Sequence, residues 1–234
     1  MSKKRFVIGE AVAFGWETAK SNIGFFIGVL VVALLIQMIP RGIGDYVAAY
    51  FPLISVIFYI IAAVLEMVVG MGIIKISLKF CDGTKGKLDD LLSSFNLVIK
   101  YFLASILYLL IVTGGLILLV IPGIIWCIKY SLFPYFIVDE GVGALEAIKA
   151  SGRATKGAKW QLFLFGLLIG LINIAGVLAL FVGILITFPL SLVAYAYVYR
   201  KLTGKGTVRD KTEKDTVSGP VAGLKGVMYI NLDA

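Results

Sequence analysis

Long apolar runs constrain this chain more than any other feature of its sequence. Six can be drawn, at residues 23–39, 53–74, 101–121, 123–138, 160–177 and 180–199. Crossing about 30 Å of hydrocarbon takes roughly 20 helical residues, so the second and third runs are long enough and the others are marginal. A soluble domain has no reason to hold its apolar residues in such runs. The pattern predicts an all-α integral membrane protein with six transmembrane helices.

Turn residues divide the predicted spans into three helical hairpins. Pro122 and Gly123 separate the third span from the fourth so closely that the two spans must fold back on each other, because proline cannot continue a helix and glycine permits the turn. Asn173, Gly176 and Gly183 bracket a similar turn in the last apolar stretch. A loop at residues 40–45 is expected to join the first two spans.

Each hairpin is preceded by a segment with one apolar face. Leu88, Leu91, Leu92 and Phe95 have helical spacing in the clearest of these segments. The segment before the third hairpin has a charged stripe opposite an apolar face: the stripe is Glu146, Lys149, Arg153 and Lys156, and the face is Val142, Leu145 and Ile148. The N-terminal segment is weaker, with Val7, Ala11 and Phe14 on one face. Such helices lie in the membrane interface, or they pack on the cytoplasmic end of the protein itself.

The chain therefore repeats an amphipathic helix and a hairpin three times, in units that begin near residues 6, 88 and 144. Together they form a six-span membrane domain, residues 1–201, followed by a polar, flexible cytoplasmic tail at 202–234. Small residues four apart predict close helix packing in the first and third units, at Gly24, Gly28, Gly166 and Gly170. An even number of spans in each unit makes the repeat parallel, which weakens a transporter interpretation based on inverted repeats.

Basic residues predict the orientation. The sequence has 22 Lys and Arg residues and a net charge of +8, and all of them except Arg41 and Lys129 fall on one side of the six-span topology. The positive-inside rule makes that side cytoplasmic, with both termini inside the cell membrane of a prokaryote. Anionic lipids of the inner leaflet are then the expected partners. Nucleic acid is not expected, because the charges follow the span ends and form no basic domain.

Two ionisable residues, Glu66 and Lys129, lie inside predicted spans, where a charge is costly and is a functional hypothesis by default. Helix rise places both about 14 Å from the inner edge of the membrane. We expect them to pair inside the bundle. In the alternative, Lys129 snorkels to the outer surface while Glu66 is protonated or faces a water pocket.

Other candidate residues point to structure and not to catalysis. Pro134 and Pro189 mark kinks or helix starts within the spans. The chain has no histidine and only two cysteines. The candidate bases would be Glu66, Asp139 and Glu140. Because histidine, a paired aspartate motif in the spans and a clustered acidic metal site are all missing from the sequence, we predict no enzyme, no metal site and no cofactor.

One stretch, residues 133–160, resembles a known family. It contains a proline near the end of a span, an acidic residue followed by glycine, the helical sequence Glu-Ala-Ile-Lys-Ala-Ser, then Thr-Lys-Gly and an aromatic residue entering the next span. This stretch looks like the membrane domain of glycerophosphoryl diester phosphodiesterases and related stand-alone six-span prokaryotic proteins. The resemblance implies six helices with interfacial helices between hairpins. No hydrolase barrel is expected after Tyr199, so the resemblance implies no phosphodiesterase activity here.

The sequence leaves three functions open. The first is a non-enzymatic membrane scaffold, accessory or lipid-interacting protein, with a membrane-protein partner as a further option. The second is a transporter or channel for a small or amphipathic solute that uses Glu66 and Lys129. The third, and least favoured, is a lipid-modifying enzyme.

Overall fold

This computed structural model describes residues 6–179 and 183–210. Helices make up most of those residues, and no strand occurs in them. In chain order the helices are α1 (Ile8–Ser21), α2 (Ile23–Ala48), α3 (Pro52–Cys81), α4 (Val98–Leu118), α5 (Val120–Tyr130), α6 (Phe133–Glu140), α7 (Ala144–Ala154), α8 (Lys159–Leu178) and α9 (Ile184–Thr203). Two short 3₁₀ turns, Leu88–Leu91 and Phe95–Leu97, precede α4. The predicted all-α class is confirmed.

Five helical segments are long and apolar enough to cross a membrane. They are Ile23–Ala48, Pro52–Cys81, Leu88–Leu118, Val120–Glu140 and Lys159–Leu178. Their outward faces are rich in exposed leucine, isoleucine and valine, as lipid contact requires. The chain is therefore a multi-pass membrane protein. The sixth predicted span, residues 180–199, corresponds to α9, which is not one of the five candidate spans. Residues 180–182 of that predicted span lie outside the described part.

The centre of the described fold is α9, which packs against α1, α3 and α8. Glycine allows α1 to lie very close to it, because a Cβ atom on Gly15 would lie 2.6 Å from the carbonyl oxygen of Leu190. The rings of Phe14 and Tyr197 add a contact with centroids 5.0 Å apart. Of the two interpretations of the N-terminal segment, packing on the protein's own helices is the one that the contacts of α1 favour.

Helices α2 and α3 are longer than the first two spans that the sequence predicted. Pro40 lies inside α2, so the expected loop at residues 40–45 is helical and the chain turns only at residues 49–51. Proline removes one backbone hydrogen bond, but in apolar surroundings no water replaces the other bonds of an opened turn, so the helix continues. As a result α2 has 26 residues and α3 has 30, or roughly 39 and 45 Å of helix.

The segment before α4 differs from the amphipathic helix that was predicted. Two 3₁₀ turns replace the helix, and of its expected apolar face only Leu91 is buried, whereas Leu88, Leu92 and Phe95 are exposed. Asp90 supplies the reason, because its carboxylate accepts hydrogen bonds from the Lys87 backbone N–H and from the Lys79 ammonium. Side chains that bond to nearby backbone compete with regular helix in this way.

The second predicted hairpin turns at Leu119, three residues before Pro122. Pro122 lies in the first turn of α5, where a missing N–H costs nothing because the first backbone donors of a helix have no partner within it. Gly115 and Gly123 let the two arms touch, since a Cβ on Gly115 would lie 3.0 Å from the Gly123 Cα.

The predicted fourth span is split between α5 and α6, with Pro134 in the first turn of α6. Pro134 is therefore a helix start, one of the two roles expected for it. Pro189 lies inside α9 and is buried.

Candidate functional site

The structure does not bring Glu66 and Lys129 together. The Glu66 carboxylate instead pairs with Arg41, with 2.6 Å between Oε2 and Nη2. Arg41 was expected in an outer loop, but the continuation of α2 through Pro40 carries it onto the same hairpin as Glu66. The ion pair therefore joins two neighbouring candidate spans, and each of its side chains is about half exposed, at 54%. This corrects the predicted partner of Glu66.

Two double-mutant cycles test this assignment. Arg41→Met and Glu66→Gln should each destabilise the protein, and the double variant should recover about 1 kcal/mol because the second change removes the uncompensated charge. Unfolding in detergent micelles measures the coupling. The matched cycle of Glu66→Gln with Lys129→Met should be additive. A larger coupling in the second cycle than in the first would contradict the structure.

Lys129 lies beside α7. Its ammonium donates a hydrogen bond to the Tyr130 hydroxyl at 2.9 Å, and its backbone carbonyl accepts bonds from the hydroxyls of Ser151 and Thr155, at 3.1 and 2.9 Å. The Leu132 N–H in turn donates to the Ser151 hydroxyl. The two buried hydroxyls of α7 thus satisfy backbone groups that the break between α5 and α6 leaves unpaired. This break also explains why helix rise from Asp139 is a poor measure of where Lys129 lies.

A cavity of about 650 Å³ opens between α4, α5, α7 and the start of α8. We call it the basic cavity. Five basic residues and five others line it: Lys129, Lys149, Arg153, Lys156 and Lys159, with Ile111, Tyr130, Leu145, Ile148 and Gly152. Lys149, Arg153 and Lys156 form the stripe that helical spacing predicted. The packing of α5 on α7 adds Lys129, and the start of α8 adds Lys159. No acidic residue lines the cavity.

None of the five cations of the basic cavity forms an ion pair with a carboxylate in the described residues. Lys149, Arg153 and Lys156 are exposed, whereas Lys129 and Lys159 are half-buried. Lys149 and Arg153 are four residues apart on α7, which places them side by side, and Lys156 follows in the turn after the helix. The arrangement concentrates positive charge at one place. The nearest acid on the stripe is Glu146, which is exposed three residues before Lys149 and forms no ion pair with a cation of the cavity in the part of the chain that the structure describes.

Cations at the end of α9 are paired. Arg200 is only 6% exposed and binds Asp82 at 2.6 Å and Asp139 at 2.8 Å. Lys205 pairs with Asp139 and, at 2.9 Å, with Glu140. We call these five residues the ion-pair network. It joins the ends of α3, α6 and α9.

The sequence analysis missed the ion-pair network, although its charges all stand at predicted span ends on one side. Partial burial lowers the pKa of Lys205, but hydrogen bonds to Asp139 and Glu140 outweigh this effect and leave its pKa above the ordinary value. Lys205 lies within the predicted flexible tail, so the first residues of that tail are held against α6. Residues 211–234 lie outside the described part.

The predicted glycine seams have few neighbours. A Cβ on Gly24, Gly28 or Gly170 would meet no atom within 4 Å, and one on Gly166 would meet only the Tyr195 hydroxyl, at 3.4 Å. In the described residues no neighbouring backbone therefore lies within 4 Å of a Cβ atom at these glycines, and the close helix packing predicted for them is wrong. The same residues hold no cluster of three His, Cys, Asp or Glu side chains that could bind a metal ion.

Comparisons with known proteins give distant relatives only. Uncharacterized proteins from Mycobacterium bovis and Mycobacterium tuberculosis are 30% identical to the chain over 152 residues. The match covers 62% of this chain and 45% of each relative, so the chain spans less than half the length of these relatives. No protein-family model and no solved structure matches. The resemblance to the phosphodiesterase membrane domain finds no support in these comparisons.

Proposed function

We propose that the chain is a non-enzymatic protein of the cell membrane that binds anionic lipids and acts as a membrane scaffold or accessory. The observation that carries this proposal is the cluster of five cations, with no acidic residue in its lining, at the basic cavity. The ion-pair network uses its cations to hold helices together, whereas the cations of the basic cavity pair with no carboxylate in the described residues, and three of them, Lys149, Arg153 and Lys156, are exposed. A negatively charged membrane surface is the partner that suits such a stripe.

The proposed orientation follows from the same charges. The ends of α3, α6 and α9 meet in the ion-pair network, so they lie at one end of the molecule. Most of the basic residues belong to this end, and the positive-inside rule makes it cytoplasmic. The lipids concerned are then those of the inner leaflet.

Anionic lipid should stabilise the protein. In vesicles of phosphatidylcholine and phosphatidylglycerol, we expect the free energy of unfolding to exceed that in phosphatidylcholine alone by about 1 kcal/mol for each cation of the stripe that the lipid neutralises. The triple variant Lys149→Gln, Arg153→Gln, Lys156→Gln should lose most of this gain. Denaturant unfolding in the two kinds of vesicle measures the difference.

The matched control removes three cations elsewhere, with Lys20→Gln, Lys85→Gln and Lys100→Gln, and it should keep most of the gain. Equal losses in the two triple variants would mean that α7 has no special role. No stabilisation by phosphatidylglycerol in the unmodified protein would overturn the proposed function. High salt should reduce the gain, because it screens exposed charges.

Transport of a small or amphipathic solute is the second candidate. The Arg41–Glu66 pair favours it, because a charged contact between two candidate spans is a common feature of solute paths. Flux through proteoliposomes separates the two proposals. Solute movement that stops with Glu66→Gln would support transport and contradict the scaffold.

A further inference from the structure

The basic cavity has the size and the walls of a small-molecule site. Its volume of about 650 Å³ falls within the range of about 300–1,000 Å³ that such sites occupy. Four helices contribute to it, so its shape depends on the tertiary fold and not on α7 alone. Lys129 lines it from α5 and Lys159 from the start of α8.

The charges of the cavity select an anion with several oxygen atoms. Five cations with no acid among them repel one another, and a bound anion would remove that repulsion. Arg153 offers a planar fork that suits a phosphate, and lysine ammonium groups add point charges around it. A phosphate monoester, which carries close to two negative charges, matches this set better than a carboxylate does.

The remaining walls of the cavity are apolar. Ile111 of α4 and Ile148 of α7 form one side, and Leu145 is 56% exposed beside them. Free phosphate has no apolar surface to bury against these residues, whereas the glycerol and acyl carbons of a lipid would cover them and remove apolar surface from water. The site therefore fits an amphiphile with a phosphate at one end.

Gly152 lines the cavity beside Lys129 and Tyr130. A Cβ atom at this position would lie 3.3 Å from the Lys129 side chain and 3.2 Å from the Tyr130 ring. Any larger side chain would press on both groups. The Tyr130 hydroxyl meanwhile accepts a hydrogen bond from the Lys129 ammonium, which holds that charge in position.

We infer that the basic cavity is a specific site for the phosphate monoester headgroup of one lipid molecule, with Lys129 as the contact that distinguishes this site from the outer surface of α7. The inference rests on the proposed function in that the ligand is an anionic lipid. Beyond the proposed function, the inference specifies one saturable site, a preference for a phosphate monoester and a role for Lys129, which lies outside the α7 stripe.

Titration calorimetry on the full chain in a non-ionic detergent tests this site. The probe is dioctanoyl phosphatidic acid, and inorganic phosphate and dioctanoyl phosphatidylcholine form the comparison arms. We expect saturable binding of one phosphatidic acid per chain and at least about tenfold weaker binding of either comparison compound. Inorganic phosphate binding as tightly as phosphatidic acid would overturn the lipid assignment, and phosphatidylcholine doing so would overturn the phosphate monoester.

Variants then locate the site. Lys129→Met and Gly152→Val should each weaken phosphatidic acid binding by about tenfold or more, and Lys129→Arg should restore it because the charge returns. Lys85→Met removes an equal charge elsewhere and should bind as the unmodified protein does. Gly152→Val changes no charge, so it keeps the test valid if Lys129→Met fails to fold.

Two results separate the further inference from the proposed function. If both Lys129→Met and Gly152→Val bind phosphatidic acid normally, the cavity site is wrong. Stabilisation by phosphatidylglycerol vesicles, which depends on the α7 stripe, would then still stand. If that stabilisation is missing while the saturable site is present, the proposed surface role fails and the cavity remains.

Discussion

Replacing Arg200 with methionine is expected to lower the free energy of unfolding by about 3 kcal/mol. Arg200 is buried and binds Asp82 and Asp139 on two other helices. Removing one partner of a buried pair leaves an uncompensated charge, which typically costs 3–5 kcal/mol. We expect the lower end of that range, because Lys205 still pairs with Asp139 and because Asp82 is 42% exposed. Denaturant unfolding in detergent micelles measures the loss.

Arg209→Met is the matched control for Arg200→Met, since it removes the same side chain from an exposed position shortly after α9. It should change the free energy of unfolding by less than about 0.5 kcal/mol, as surface substitutions usually do. Equal effects of the two variants would show that the ion-pair network does not hold the ends of α3, α6 and α9 together.

Gly72→Ala is expected to cost about 2–3 kcal/mol. A Cβ atom on Gly72 would lie 2.3 Å from the carbonyl oxygen of Leu91 and 2.4 Å from its Cα atom. Both are backbone atoms, so the 3₁₀ turn would have to move away from α3, and overpacking of this kind costs 1–3 kcal/mol. The shift would also disturb the pair between Lys79 and Asp90, whose ammonium and carboxylate are 2.7 Å apart.

Gly70 provides the comparison on the same helix, because a Cβ atom there would meet nothing within 4 Å. Gly70→Ala should leave stability unchanged or raise it slightly, since alanine favours helix over glycine. Thermal unfolding of the two variants side by side gives the answer. If Gly72→Ala is as stable as Gly70→Ala, the turn does not pack on α3 as described.

The helices could be predicted from the sequence because they depend on local composition. An apolar run whose helical length is close to the thickness of a bilayer predicts a candidate span, and this prediction does not depend on the tertiary contacts of the helix. Turn positions were harder to predict, because a proline can end a helix or can be accommodated within one. Pro40 and Pro122 both suggested breaks, but Pro40 continues α2 and Pro122 lies in the first turn of α5. Pro122 is tolerated because the first backbone donors of α5 have no partner within the helix, whereas α2 continues through Pro40 despite the bond that proline removes.

The candidate site could be predicted only in part. Lys149, Arg153 and Lys156 follow from helical spacing, which is a local property. Lys129 lies beside these three cations because the hydroxyls of Ser151 and Thr155 bind its carbonyl oxygen. No sequence pattern predicts such a contact. The partner of Glu66 was missed for a related reason, because Arg41 seemed to lie in a loop. Pairings between distant helices depend on packing, which one sequence does not reveal.

The contact between α1 and α9 has a consequence for biosynthesis. The first described helix docks on the last one, so α1 leaves the ribosome before its binding surface on α9 exists. Until α9 is made, Phe14 and Gly15 lack their contacts on it, and we expect the apolar face of α1 to lie in the membrane interface. Both locations considered for this helix would then be occupied in turn, the lipid surface during synthesis and α9 after it.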